Sequence, residues 1–220
     1  MRFVAELSIA DRELSRIKSA IAHADVALMS RLTPVQERAA ASRASAYVWL
    51  AATLERVVRD ALQSTMREIS SLTLPIHDLR LSLFSLLCEP EFNSLSSKSR
   101  GHSWDTRIAL FLKTTDVSPA ILSEDVLPLD GRTIRAEHFD TIWLVLGISS
   151  SSMPSPIHRL ALKDLADGRN EVAHGHKDPV SFGRTKVTTD LFRLTSRVDD
   201  VIMHLLTELD SYVDRRHFRR

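Results

Sequence analysis

Apolar residues recur every three to four positions over most of the chain, which is the period of an amphipathic α-helix. The first such segment spans about residues 3–31, and the second runs from the "LTPVQER" break to about Ser70. A short polar break between two long helices predicts an antiparallel helical hairpin. No stretch alternates apolar and polar residues as a half-buried strand would, so we expect an all-α fold.

The middle of the chain predicts shorter elements. We expect a helix over residues 75–89, a Ser-rich loop over 94–103 and a short helix in "SWDTRIALFLKT". Residues 114–133 have no helical period, and "LDGRT" is typical of a turn. A further helix is expected in "AEHFDTIWLVLG", ending at its glycine. These segments would form a central insert of helices and loops.

Two more helices are predicted at the end of the chain, over about residues 156–175 and about residues 185–216. We expect the "HKDPVSFG" stretch between them to be a loop with turn residues. Residues 1–220 would then form one domain, a bundle of long antiparallel helices.

The composition of the chain limits which partners and which cellular compartment we expect. The net charge is only +1, so any anion binding must come from a local cluster of basic residues. One cysteine makes no internal disulfide, which fits a reducing cytoplasm. No segment approaches the roughly 18 uninterrupted apolar residues of a membrane span. We therefore expect a cytoplasmic protein with no membrane partner.

The candidate chemistry lies in "GRNEVAHGH", residues 168–176. On an ideal helix, Asn170 and His174 share one stripe because they are four residues apart. Arg169 falls on the apolar side, about 140° from His174. Burying an unpaired guanidinium is costly, so the fold must supply a carboxylate partner or a water-filled cleft. A bent helix end at Gly175, or an arginine side chain that reaches round, would bring both groups to one ligand.

The same stretch resembles a known family. "GRNEVAHG" matches the signature of HEPN-type helical domains (Arg, a polar residue, any three residues, His), with Arg169, Asn170 and His174 in register. "ASAYVWLAATLERVVRDAL" resembles the early HEPN helix, and "TIRAEHFDTIWLVLGI" is similar to the segment before the motif helix in the RiboL-PSP and MAE branch. The resemblance covers about residues 40–216 and depends on this helical context more than on the short motif.

The resemblance implies a metal-independent endoribonuclease without a cofactor, often a toxin or host-defence effector. Two copies would face each other across one cleft, and the partners would be RNA, a second copy and a cognate antitoxin or defence-system protein. His174 would act as general acid or base. Arg169 would bind the scissile phosphate, and Asn170 would orient the phosphate or His174. Attack by the RNA's own 2′-OH would leave a 2′,3′-cyclic phosphate.

Several residues allow more than one interpretation. His176 stands where some HEPN toxins carry a tyrosine that the antitoxin modifies, and it is a candidate second titrating group. Alternatively, His174, His176 and Asp178 would bind a metal ion in a hydrolase, although no second cluster of ligands accompanies them. Glu55 either pairs with a nearby arginine or positions Arg169 in the cleft.

A basic tail adds one weaker candidate for RNA binding. Its arginines are Arg215, Arg216, Arg219 and Arg220. They would contact RNA phosphates or form a charged, frayed helix end. The main alternative to a nuclease is a HEPN-like module that has lost activity and binds RNA or a protein partner, as an antitoxin or regulator would.

Overall fold

The computed structural model describes residues 2–97 and 103–220, and over these residues the fold is all-α, as expected. The α-helices are α1 (Val4–Leu28), α2 (Thr33–Ser71), α3 (Phe84–Leu87), α4 (Glu89–Ser97), α5 (Trp104–Lys113), α6 (Ala136–Leu146), α7 (Pro156–Ala173), α8 (Pro179–Arg184) and α9 (Thr188–Asp214). The β-pairing in these ranges consists of two isolated bridges. Within the same ranges, no helix has the length and apolar character needed to cross a bilayer.

Four long helices, α1, α2, α7 and α9, build the core. α1 packs on α2 and α9, and α2 also contacts α7 and α8. α1 buries one side chain per turn because its apolar residues follow the helical period, as at Leu14, Ile17 and Ile21. Each such buried Leu or Ile contributes about 1.5–3 kcal/mol of transfer free energy. The long hairpin of α1 and α2 thus forms the support on which α7 lies.

Two glycines set how closely α7 and α8 approach α2. A Cβ atom at Gly168 would lie 2.5 Å from ring atom Cε1 of Tyr47, and closer still to Cδ1. A Cβ atom at Gly183 would lie 2.6 Å from the carbonyl carbon of Ala40. Both distances are far below van der Waals contact, so no larger residue fits without movement. Gly168 therefore fixes the position of α7 directly before the Arg169 motif.

Three expectations about the shorter elements were wrong. Residues 75–89 do not form one helix but two 3₁₀ turns, Ile76–Asp78 and Leu81–Leu83, followed by α3. Their backbone groups bond to distant segments instead, as in Ile76 N to Ser118 O (2.9 Å). The Ser-rich stretch is helical as far as Ser97, where α4 ends, and residues 98–102 lie outside the described part of the chain.

The third wrong expectation concerns the "HKDPVSFG" stretch, which contains the short helix α8. Asp178 is its N-cap, and its carboxylate accepts a hydrogen bond from the backbone N of Ser181 (2.8 Å). Pro179 occupies the first helical turn, where its missing N–H costs nothing. An Asp–Pro pair that looks like a turn therefore begins a helix here.

The basic tail is not frayed. The backbone N of Arg220 donates to the carbonyl of Asp78 (2.9 Å), and Arg80 N donates to the carbonyl of Phe218 (2.8 Å). Phe218 is fully buried, and the Arg220 Nε also donates to the carbonyl of Leu79 (2.9 Å). The tail thus closes over the 3₁₀ segment, because its apolar residue and backbone groups find partners there.

Candidate active site

The motif lies at the end of α7, where the backbone leaves helical geometry. His174 is the C-cap residue, with φ −93° and ψ 3°, and its N–H still donates to the carbonyl of Asn170 (3.1 Å). Gly175 has φ +68°, the left-handed conformation that commonly ends a helix. The backbone therefore keeps helical geometry from Arg169 as far as the N–H of His174, and it turns away from the helix only at Gly175.

The Arg169 side chain reaches round the helix end to its neighbours. Its Nη1 lies 3.2 Å from Asn170 Oδ1 and 3.4 Å from His174 Nε2. A guanidinium has only donors, so in this arrangement His174 Nε2 is the acceptor and the ring proton is on Nδ1. The arrangement therefore places the lone pair of His174 Nε2 beside the positive charge of Arg169.

These groups face a cavity of about 470 Å³ between two walls. One wall is the end of α7, and the other is the loop over residues 130–135 before α6. The lining residues are Gly131, Arg132, Thr133, Arg135, Arg169, Asn170 and His174. A cavity of this volume is within the range of sites that bind small ligands.

The cavity has an excess of positive charge. Arg135 pairs with Asp167 (2.7 Å), and the same carboxylate binds Lys163 (2.7 Å). The hydrogen bond from Lys163 has the larger effect and that from Arg135 the next. Together they hold the pKa of Asp167 below its usual range. Within residues 2–97 and 103–220, Arg169 has no carboxylate within 4.0 Å, unlike Arg135. Its charge is therefore available to an anionic ligand.

Asn170 holds Arg169 rather than His174. Its amide oxygen accepts hydrogen bonds from Thr133 Oγ1 (3.1 Å) and from Arg169 Nη1 (3.2 Å). Asn170 was expected to orient either the phosphate or His174. Its side chain makes no hydrogen bond to the His174 side chain, so the second role has no support. The amide instead links the loop wall to the guanidinium.

The supporting residues expected from the sequence lie outside the cavity wall. Glu55 accepts a hydrogen bond from Arg59 (3.0 Å), one turn along α2, so the ordinary ion pair is formed. His176 is exposed, and its ring centroid lies 5.8 Å from that of His174. Asp178 caps α8 and is engaged there. In the described part of the chain, no three His, Cys, Asp or Glu side chains form a group suited to a metal ion.

The four tail arginines also do not line the cavity. Arg220 is bonded to the 3₁₀ segment, as described above, and its guanidinium lies 5.7 Å from the centre of the Phe84 ring. Sequence reasoning missed instead the basic loop "LDGRT", whose Arg132 and Thr133 line the cavity. A turn that carries arginine was the available signal.

The fold and the Arg–Asn–x₃–His site together define a helical domain of the HEPN class, whose members act as nucleases or bind RNA. The model of the MAE_28990-like HEPN family matches residues 4–218, and the chain belongs to this family. The resemblance inferred from the motif and its helical context is thereby confirmed. No curated protein and no solved structure matches the chain.

Proposed function

We propose that this protein is a metal-independent endoribonuclease that cleaves RNA through the 2′-OH. The observation that carries the proposal is the meeting of Arg169 and His174 in one cavity, with Nη1 and Nε2 3.4 Å apart. Such a pair provides a proton acceptor beside a fixed positive charge. RNA supplies the nucleophile, its own 2′-OH, so the protein has to supply proton transfer and stabilisation of the developing charge.

The reaction follows from the roles of these atoms. When the phosphate draws Arg169 away from His174, the freed lone pair of His174 Nε2 takes the proton of the 2′-OH, and the resulting oxygen attacks the adjacent phosphorus. Arg169 binds a non-bridging phosphate oxygen and stabilises the negative charge that develops there. The bond from phosphorus to the 5′-oxygen breaks, and that oxygen receives a proton from a general acid. The products are a 2′,3′-cyclic phosphate and a 5′-OH.

A second copy of the chain would supply the general acid. Each chain contributes a single motif histidine, whereas the reaction uses one base and one acid. A two-fold dimer in which two α7 helices face each other would place one His174 on each side of the phosphate. Support comes from the place of His174 at the exposed C-terminal end of α7, where a second chain can approach it.

The proposed biological setting is that of a cytoplasmic toxin or defence effector with a cognate antitoxin or defence-system partner. The resemblance to HEPN toxins and defence effectors motivates this setting. Arg169, near an exposed helix end and without a carboxylate partner in the described residues, fits a substrate as large as RNA. His176 occupies the position of the modifiable tyrosine of related toxins. We therefore propose control by binding of a partner rather than by modification at that position.

The test compares purified wild type with Arg169→Ala and His174→Ala on total RNA and on tRNA, in the presence of a chelator. We expect cleavage by the wild type and a loss of at least about 100-fold in each variant. Arg56→Ala and His23→Ala are matched controls, because both residues are exposed and remote from the cavity lining. Full cleavage by both motif variants would refute the proposal, and RNA binding without cleavage would favour an inactive binding module.

A further inference from the structure

The loop over residues 130–135 has a role that the motif does not assign. We propose, on the basis of the proposed nuclease function, that this loop is a second phosphate-binding subsite in which Arg132 binds the RNA phosphate next to the scissile one. The loop forms the wall opposite α7, and Arg132 lines the same cavity as Arg169. An RNA strand that enters this cavity passes between the two guanidinium groups.

Hydrogen bonds fix the backbone of the loop, while the side chain of Arg132 stays exposed to solvent. Asp130 Oδ1 accepts hydrogen bonds from the backbone N of Arg132 (3.0 Å) and from His138 Nε2 (2.8 Å). His138 Nδ1 in turn accepts from the backbone N of Arg135 (3.0 Å), so its ring proton is on Nε2, where it donates to Asp130. Since the loop is already ordered, RNA binding would not have to order it.

Thr133 joins this loop to the motif itself. Its hydroxyl donates to Asn170 Oδ1 (3.1 Å), the same oxygen that accepts from Arg169 (3.2 Å). One amide oxygen therefore sets the distance between the loop and the catalytic arginine. The backbone that carries Arg132 is thereby tied to the wall that carries Arg169.

The charge of Arg132 is available for a ligand. Its side chain is 85% exposed, and its one carboxylate contact within the described residues is long, from Nε to Asp130 Oδ2 at 3.7 Å. An exposed ion pair of this length contributes little, so a phosphate can replace it. Arg135, by contrast, is bonded to Asp167 at 2.7 Å. A ligand with two neighbouring negative groups would use Arg132 and Arg169 together, and adjacent phosphates of one strand are such a ligand.

The lining residues also indicate that the subsite does not recognise particular bases. Among the described cavity-lining residues the one aromatic side chain is His174, which the proposed reaction uses for proton transfer, so the walls offer no Phe, Tyr or Trp ring on which a base would stack. Phosphate contacts position a nucleic acid but carry no sequence information. We infer that Arg132 contributes affinity and register without base preference.

The test measures binding of oligo-U and oligo-A RNA over a series of salt concentrations in the His174→Ala background, so that the RNA stays intact. Arg132→Ala should weaken binding by about five- to tenfold, equally for both sequences. It should also reduce the slope of log affinity against log salt by about 0.7, the value for one phosphate contact on a single strand. Arg132→Lys should keep most of the slope, because it retains the charge.

The matched control is Arg56→Ala, since Arg56 is likewise exposed and has its nearest carboxylate, Asp60, at 3.6 Å. An unchanged slope in Arg132→Ala, an equal loss in Arg56→Ala, or a loss confined to one sequence would overturn the subsite. Failure of the two proposals is distinguishable. Wild-type cleavage with an Arg132-independent slope refutes the subsite alone, and Arg132-dependent binding by a wild type that does not cleave refutes the nuclease alone.

Discussion

The substitution Gly168→Ala tests how closely the motif helix lies on α2. The added methyl group would overlap the Tyr47 ring at 2.5 Å from Cε1, so the ring or α7 must move by about 1 Å to restore contact near 3.5 Å. The ring has little freedom, because Tyr47 is 3% exposed, its hydroxyl donates to Asp164 (3.3 Å) and its ring packs edge-on against Phe182. Overpacking of this kind costs about 2–3 kcal/mol.

Helix propensity acts in the opposite direction. Replacing glycine by alanine inside a helix stabilises it by about 1 kcal/mol. The net loss should therefore be about 1–2 kcal/mol, which for a chain of this size lowers Tm by about 2–8 °C. Urea denaturation should give the same free-energy change with an unchanged m value.

A second variant tests whether the Tyr47 ring causes the loss of stability. In a Tyr47→Ala variant the clashing ring is absent, so Gly168→Ala should become neutral or stabilising by up to about 1 kcal/mol. The sign of the effect would reverse between the two backgrounds. A Gly168→Ala protein as stable as the wild type, or an equal loss in both backgrounds, would refute the close packing that positions Arg169.

Two further predictions concern the hydrogen bonds at the cavity. Thr133→Val removes the bond to Asn170 Oδ1 but keeps the side-chain shape, so we expect a loss of roughly tenfold in kcat for RNA cleavage, with KM nearly unchanged. Equal kcat in the variant and the wild type would contradict the linking role of Asn170. Hydrogen bonds from Lys163 and Arg135 lower the pKa of Asp167 in the folded protein. The ionised carboxylate therefore stabilises the fold at pH values above 3.8, its ordinary pKa. The difference in unfolding free energy between the wild type and Asp167→Asn should be constant above about pH 5. It should shrink as the pH falls through the lowered pKa of Asp167. A difference that does not change with pH would contradict this stabilising role.

The sequence predicted the long helices well because each buries one residue or more per turn. α1 and α2 were expected over residues 3–31 and from the "LTPVQER" break to Ser70, and they span Val4–Leu28 and Thr33–Ser71. α8 was missed because six residues are too few to show a helical period, and its cap and proline resemble a turn. The broken 75–89 segment depends on bonds to residues far along the chain, which no local pattern reveals.

The sequence likewise predicted the parts of the site that depend on local interactions and missed those that depend on distant ones. Asn170 and His174 were related through their spacing of four, which is a local property. The contact between Arg169 and His174 depends on the conformation of the long Arg169 side chain, which the backbone geometry of a helix does not specify. The loop wall was missed because Thr133 and Asn170 are 37 residues apart, and only tertiary packing brings them together.

The most direct measurement is the nature of the RNA ends produced in a chelator. The account predicts that the wild type cleaves RNA to fragments with 2′,3′-cyclic phosphate and 5′-OH ends, and leaves 2′-O-methyl RNA of the same sequence intact. His174→Ala should yield no such fragments. Cleavage of the methylated strand, ends with a 3′-OH, or equal cleavage by His174→Ala would contradict the account.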